Sequence, residues 1–337
     1  MVFRELPHDD VEDDNYFDTS PDDQKKDAHV KKAVVHSTEG NNFLHVISVV
    51  FSPYGQQTRF KLAQEYIERM QETQKTQPMK LYILEVQYEH QKLTLNVKEN
   101  HTSITVPKNF LLWNKENLIN IVVQHFLPKD WKYCAWIDAD IEFLDPHWVT
   151  KTIDRFRETH ADVLQLFSFC RFLDKNNQVS RYLKSSLFGY VNNIQNKVFH
   201  PGFAWGCTRS AYEKMHGLFE YAIVGGGDRV LSQALTRCIP YFKSDNVHHS
   251  LHRKVQEFHD RVSQLSGNYV NTIIQHHYHG EKKNRQYSTR QKILVRHQFN
   301  PEKHVLKDPS LGFLIPNFPK DMAHDIEKFF KTRKEKF

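Results

Sequence analysis

Three groups of residues in this chain could do chemistry. Asp138 and Asp140 stand one residue apart at the end of the short apolar run at 133–137. In an extended chain, residues i and i+2 point to the same side, so two carboxylates so placed are expected to converge and hold a hard divalent cation, which in turn grips phosphate oxygens. An ordinary acidic strand exit is the competing reading. A second group is Gly225-Gly226-Gly227-Asp228. Three glycines in a row cost backbone entropy unless the main chain must take a positive φ or approach something closely. The aspartate after them reads either as a helix N-cap or as a general base beside a bound substrate. The third group is His276-His277-Tyr278-His279, which follows an apolar segment at 269–274. A neutral imidazole at a strand end is a good further ligand for a divalent ion. Behind it lie Lys282, Lys283, Arg285 and Arg290, positive charges suited to phosphate.

The elements that must position these groups are partly legible. A β-branched run at 45–51 reads as a central strand buried on both faces. Apolar residues at helical spacing from 57 to 74 predict an amphipathic helix, and 81–86 predicts a second strand, so the three form a right-handed parallel crossover unit. A short strand is expected at 93–97, a helix at 114–126, and another helix beginning at Asp145-Pro146 and ending near 159. A strand at 162–169 follows. The segment 200–206 reads as a glycine-containing loop, with helices expected at 210–216 and 229–236. The fold class is therefore α/β, with a mostly parallel central sheet flanked by helices. In such sheets, ligands bind beyond the carboxyl ends of the strands, where Asp138 and Asp140 lie.

Composition sets the outer limits. The chain has 337 residues, of which 39% are hydrophobic and 26% charged, ordinary values for a globular protein with one main domain. Residues 1–42 are rich in Asp, Lys, Asn and His and read as an acidic, loosely packed tail. The main domain is expected at 43–300, and 301–337 as a proline-containing extension ending in a helix from 321 to 334. The net charge of +6 is uneven: residues 1–28 carry ten acidic and three basic side chains. The body is thus basic, which suits nucleic acid, an anionic surface or phosphorylated small molecules, although charge alone favours a solvated basic face with no partner; the lack of arginine-rich runs with interleaved aromatics argues against nucleic acid. The four widely spaced cysteines suggest neither a zinc knuckle nor a disulfide framework, and point to a reducing compartment. No stretch approaches the roughly 18 apolar residues of a membrane span, and the acidic N-terminus lacks a signal pattern. A cytoplasmic protein is expected.

Taken in order, these pieces resemble a nucleotide-sugar-dependent glycosyltransferase of the GT-A fold, over about residues 43–297. Trp136-Ile137-Asp138-Ala139-Asp140 looks like the DXD motif, and Pro201-Gly202-Phe203 like the loop near the donor sugar. Gly226-Gly227-Asp228 stands where the family has an x-Glu-Asp motif, with Gly227 in place of the glutamate. His276 or His279 stands for a C-terminal metal histidine, and HHYHGEKKNRQYSTR is similar to a pattern of some bacterial and large-virus members. Trp113-Asn114-Lys115-Glu116 with Asn120 looks like the helix lying against the nucleotide.

The resemblance implies transfer of a sugar from a nucleotide diphosphate sugar, UDP first, to a hydroxyl of a glycan or glycoprotein. It implies Mn²⁺ or Mg²⁺ on Asp140 and His279, with Asp138 direct or through water. Lys115, Asn120, Arg285 and Tyr287 are expected near the nucleotide, and Pro53 and Tyr54 against the base. Gly202, Gly226, Gly227 and Trp205 are expected at the substrate, with Trp205 read equally as a sugar platform or a core residue. Retention of Asp228 favours an inverting displacement with that residue as base. Two rivals stand beside this reading: a metal-dependent phosphohydrolase or nuclease using the same groups, and a catalytically silent nucleotide- or carbohydrate-binding module.

Overall fold

The computed structural model describes residues 43–91, 95–195, 198–238, 246–287 and 289–333, apart from the Lys282 side chain. The acidic segment 1–42 lies outside the described residues. The first strand, β1 (Leu44–Phe51), is apolar apart from His45 and Ser48 because it is covered on both faces. Leu44, Val46 and Val50 belong to one core with Phe60, Ala63, Tyr66, Ile67 and Met70 of α1 (Gln57–Thr76). Ile47 and Phe51 belong to the other, with Leu118, Ile119, Val122 and Val123 of α2 (Lys115–His125). Each such side chain contributes about 1.5–3 kcal/mol on burial. The polar Ser48 is tolerated on the first face because its hydroxyl donates to Ile137 O (2.8 Å) and pairs with the Tyr66 hydroxyl (2.7 Å), which has its own proton to give.

Between these helices come β2 (Met79–Tyr88) and β3 (His101–Val106), and after them β4 (Tyr133–Ile137) and β5 (Ile141–Phe143). The chain continues through α3 (Trp148–Thr159), β6 (Val163–Gln165), β7 (Phe169–Leu173), β8 (Val179–Ser185), α4 (Ser186–Val191) and β9 (Phe199–His200). Then follow β10 (Ala204–Thr208), α5 (Arg209–Met215), α6 (Gly227–Leu235), α7 (His249–Val262), β11 (Gly267–Tyr269) and β12 (Ile273–His276). The central sheet has seven strands in the order β11-β6-β10-β4-β1-β2-β3. Every neighbouring pair is parallel except the two made by β10, which runs against β4 and β6. The architecture is α/β with a mostly parallel sheet flanked by helices, as the crossover pattern implied.

A second sheet, in the order β5-β12-β7-β8-β9, stands beyond the carboxyl end of β4. This sheet was not expected. The apolar run at 162–169 reads as one strand but divides into β6 in the central sheet and β7 in the second. At the join, Leu166 N donates to Ala204 O and Ser168 N to Thr272 O. Both halves are buried, so hydropathy carries no mark of the change of sheet. The segment at 269–274 divides in the same way, into β11 and β12. Residues 200–206 are only partly loop, since Trp205 and Gly206 sit in β10. Of the expected strand at 93–97, Leu93 and Thr94 lie outside the described residues and Leu95 to Val97 form no strand; the edge strand is β3.

The C-terminal segment comprises α8 (Gln291–Arg296), the hairpin β13 (Val305–Lys307) and β14 (Leu314–Pro316), and α9 (Lys320–Thr332). Met322, Ile326, Phe329 and Phe330 of α9 enter the same core as α2. All four cysteines are free and buried, with the Cys134 and Cys207 sulfurs 3.6 Å apart. Among the described residues, no helix is long and apolar enough to cross a membrane.

Candidate active site

The site begins where β4 stops. Strand pairing ends at Ile137, Asp138 N donates to Phe203 O (2.8 Å), and Ile141 N returns to Asp138 O (3.2 Å). The two aspartates therefore lie in a turn, where strand alternation does not apply. Their expected convergence on one point is not what the structure shows. Asp138 Oδ1 lies 2.6 Å from Lys115 Nζ, which also reaches Asp228 Oδ2 at 2.8 Å. Asp140 faces the other way, with Oδ2 2.8 Å from His279 Nε2 and 3.7 Å from His276 Nε2. Lysine thus occupies Asp138, expected as a metal ligand, and the cluster with metal-ligand geometry is Asp140, His276 and His279, whose ligand atoms lie within 4.8 Å of one another.

Strand pairing builds that cluster. β5 runs antiparallel to β12 with Ile141 opposite His276, and His277 N donates to Asp140 O (3.0 Å). The short return strand after the turn is what carries the imidazoles to Asp140. Burial would raise the Asp140 carboxyl, but His276, His279 and Arg285 outweigh it and hold it well below the usual carboxylate range. Burial also drives the His276 imidazole well below its ordinary value, against the pull of Asp140, so the ring is neutral. Asp140 Oδ1 and His276 Nε2 are both buried and have no hydrogen-bond partner among the described residues. An anionic oxygen and a neutral imidazole nitrogen left unsatisfied side by side form a donor set that fits a divalent cation.

The second pole of the site is organised by Lys115, at the start of α2 and only 7% exposed. Burial works against its charge, but Asp138, Asp228 and Glu116 outweigh that effect and raise its pKa. Burial pushes the Asp138 carboxyl up to about 6, against the pull of Lys115. Asp228 sits in the first turn of α6, and a Cβ on Gly202 would lie 3.1 Å from its Oδ2, so glycine lets the 200–203 loop approach. In that loop Phe203 takes φ 83°, an uncommon conformation for a bulky residue. Its ring stacks on His200 at 3.8 Å and lies 5.0 Å from the His276 ring. The strain is held by this packing and by the hydrogen bond from Asp138.

Arg285 connects to the cation-binding cluster. Its guanidinium lies 2.6 Å from His279 Nε2 and 3.0 Å from the Tyr287 hydroxyl. Burial would raise the Tyr287 phenol, but Arg285, Arg290 and Arg333 together bring it below its ordinary value. The Arg290 guanidinium stacks over the Tyr287 ring at 4.8 Å, and that of Arg333 over Trp113 at 4.4 Å. Three guanidinium groups around one phenol make a strongly positive wall beside Asp140.

Other expected site residues are placed differently. Trp205 is 0% exposed and its indole N–H donates to Pro201 O (3.0 Å), so it is a core residue and presents no face to a sugar. Asn120 is consumed by the scaffold: its amide donates to Leu218 O, and its Oδ1 accepts from Leu218 N and the Tyr212 hydroxyl. Pro53 is buried, whereas Tyr54 beside it is 40% exposed. Gly225 and Gly226 take φ 88° and 109°, which accounts for two of the three glycines. Glu116 and Phe203 enter the sequence reading only as members of the nucleotide-helix and donor-loop motifs, and His200 and Arg333 carry no site expectation. For Phe203 and His200 the nearby Gly202 was the one available signal, and Arg333 gave none.

No protein-family model matches the sequence, and no curated protein matches it. Among solved structures, the chain is similar to the catalytic domain of Drosophila beta1,4galactosyltransferase 7 in complex with xylobiose, at 12% identity, 84% of this chain, 98% of that chain and a TM-score of 0.42. A mutant of that enzyme in complex with manganese, UDP-Gal and xylobiose is similar at 12% identity, with the same coverage and a TM-score of 0.39. A putative nucleotide-diphospho-sugar transferase from Desulfovibrio desulfuricans follows at 11% identity, 76% of this chain, 98% of that chain and a TM-score of 0.35.

Proposed function

We infer that the chain is a metal-dependent glycosyltransferase of the GT-A kind, moving a sugar from a nucleotide diphosphate sugar to a hydroxyl of a glycan or glycoprotein with inversion. The observation that carries this reading is the pair of unsatisfied buried atoms, Asp140 Oδ1 and His276 Nε2, next to the Arg285–Tyr287 wall. Asp140, His276 and His279 would hold Mn²⁺ or Mg²⁺, which when bound supplies positive charge to the diphosphate leaving group. UDP is the first nucleotide to test. Arg285 and Tyr287 donate hydrogen bonds to the same diphosphate, whose charge grows as the bond to the anomeric carbon breaks. Tyr54, exposed after β1, would meet the base in this reading.

Asp228 acts at the other pole. Lys115 engages Oδ2, and Asp228 Oδ1 takes the proton from the acceptor hydroxyl as its oxygen bonds to the anomeric carbon and the nucleoside diphosphate departs. Lys115 also holds Asp138 and Asp228 together across the site, so the base is fixed relative to the turn that carries Asp140. The separation of the two poles gives a direct test. Asp140→Ala is expected to lose both Mn²⁺-dependent UDP binding and transfer, while Asp228→Asn keeps UDP affinity and loses turnover about 100-fold or more. Equal loss of UDP affinity in both variants would refute separate roles. Phosphodiester cleavage without sugar transfer would replace the reading with a hydrolase.

A further inference from the structure

Gly227 raises a question that its backbone does not answer. Its φ is not among the positive values that Gly225 and Gly226 require, and it forms the first residue of α6. Conformation alone would allow any small residue there. A Cβ at this position, however, would fall well inside contact distance of Glu116 Oε1, Cδ and Cγ. Glycine at 227 is thus the space into which the Glu116 carboxylate fits, directly beside Asp228.

Glu116 is the second residue of α2 and is 5% exposed. Burial, with Asp228 beside it, pushes the Glu116 carboxyl up to about 8 against the pull of Lys115, so near neutral pH the group is the neutral acid. Its neighbour Lys115 directs its ammonium to Asp138 and Asp228 instead, at 2.6 and 2.8 Å. Its carboxyl takes a hydrogen bond from its own backbone N–H. The residue before Lys115 leaves a donor unused: Asn114 is 1% exposed, and its Nδ2 is buried with no partner among the described residues. The start of α2 therefore brings an acceptor and an unused donor to the edge of the site, next to the candidate base.

We propose that Glu116, seated in the space left by Gly227, binds sugar hydroxyls next to Asp228 and so orients the sugar for reaction. A neutral carboxyl donates from its O–H and accepts at its carbonyl oxygen, so it pairs with two neighbouring hydroxyls, the pattern that vicinal diols present. The proposal rests on the transferase reading above. The sugar is that of the donor or that of the acceptor; the chemistry is the same for both, and the experiment separates them.

The test compares wild type with Glu116→Gln, Glu116→Ala, Gly227→Glu and the double variant Glu116→Ala/Gly227→Glu, all with Mn²⁺. Calorimetry measures affinity for UDP and for UDP-galactose, UDP-glucose, UDP-xylose and UDP-N-acetylglucosamine. Kinetics with p-nitrophenyl β-xyloside, β-glucoside and β-galactoside give the acceptor KM. Glu116→Ala is expected to bind UDP as wild type does and to lose about 10- to 100-fold in one arm only, while Glu116→Gln, which keeps a donor and an acceptor, retains most of that binding. Loss of the advantage of a UDP-sugar over UDP assigns the donor; a raised acceptor KM assigns the acceptor. Gly227→Glu alone is expected to be impaired by collision with Glu116, and the double variant to recover part of the loss by supplying the carboxylate from α6. Unchanged behaviour of Glu116→Ala in both arms would overturn the proposal. So would a parallel fall in UDP affinity and melting temperature, which would make Glu116 part of the scaffold. Failure of the wild type to bind UDP with Mn²⁺ would refute the transferase reading itself, and the proposal with it.

Discussion

Replacing Lys115 by methionine removes the single ammonium that Asp138 and Asp228 share, at 2.6 and 2.8 Å, and keeps most of its packing. The lysine is 7% exposed, so water cannot readily take its place. Removing one partner of a buried ion pair costs about 3–5 kcal/mol at most, and here the carboxylates left behind are only partly reached by water, Asp138 and Asp228 being 29% and 21% exposed. The expected penalty depends on pH. Burial already raises the folded Asp138 carboxyl to about 6 against the pull of Lys115, and removal of the lysine raises it further above the unfolded value of about 4. A carboxyl whose pKa is raised on folding takes up protons as the chain folds, so the variant gains relative stability as pH falls. Urea unfolding at about pH 5, 6, 7 and 8 is therefore expected to show a loss of at most about 3–5 kcal/mol at the upper end that shrinks toward the lower end. Lys115→Met/Asp138→Asn is expected to be less destabilised than the sum of the single changes. A loss under about 1 kcal/mol that does not vary with pH would refute Lys115 as the buried counter-ion.

Three further outcomes follow from the structure. Burial, then Lys80, pushes the His45 imidazole down to about 4. The unfolded ring titrates near 6.5, so the unfolded chain binds more protons between the two values and stability falls as pH drops through that window, by no more than about 3 kcal/mol; His45→Gln should flatten this part of the pH–stability curve in urea melts. Trp205→Phe removes the hydrogen bond to Pro201 and should cost about 1 kcal/mol in chemical denaturation while leaving acceptor KM unchanged, the opposite of a sugar platform. Asn120→Ala strips partners from Leu218 and Tyr212 and is expected to cost about 1–3 kcal/mol with UDP affinity intact, as read by melting and calorimetry together.

Much of the central sheet was legible because strands covered on both faces are long apolar runs and the helices between them keep a 3.6-residue period. β1, α1, β2 and α2 fell within a few residues of their expected bounds. The second sheet was not legible, since a run such as 162–169 stays apolar while it changes sheet. Asp140, His276 and His279 stood out because carboxylate and imidazole at segment ends are unusual, and the structure brings them together. The split between Asp138 and Asp140 was hidden because a turn, unlike a strand, does not repeat its direction every second residue. Glu116 is legible only as part of the helix expected against the nucleotide, with no role of its own. Its importance lies in a tertiary contact with Gly227, more than a hundred positions along the chain.

The most direct measurement is calorimetric titration of UDP into the protein with Mn²⁺, with Mg²⁺ and with EDTA, repeated for His276→Ala. UDP is expected to bind the wild type only with a divalent cation, and His276→Ala to lose that metal-dependent binding while keeping its fold by circular dichroism. UDP binding of equal strength in EDTA, or undiminished in His276→Ala, would contradict the assignment of Asp140, His276 and His279 as the metal centre of a sugar-nucleotide site.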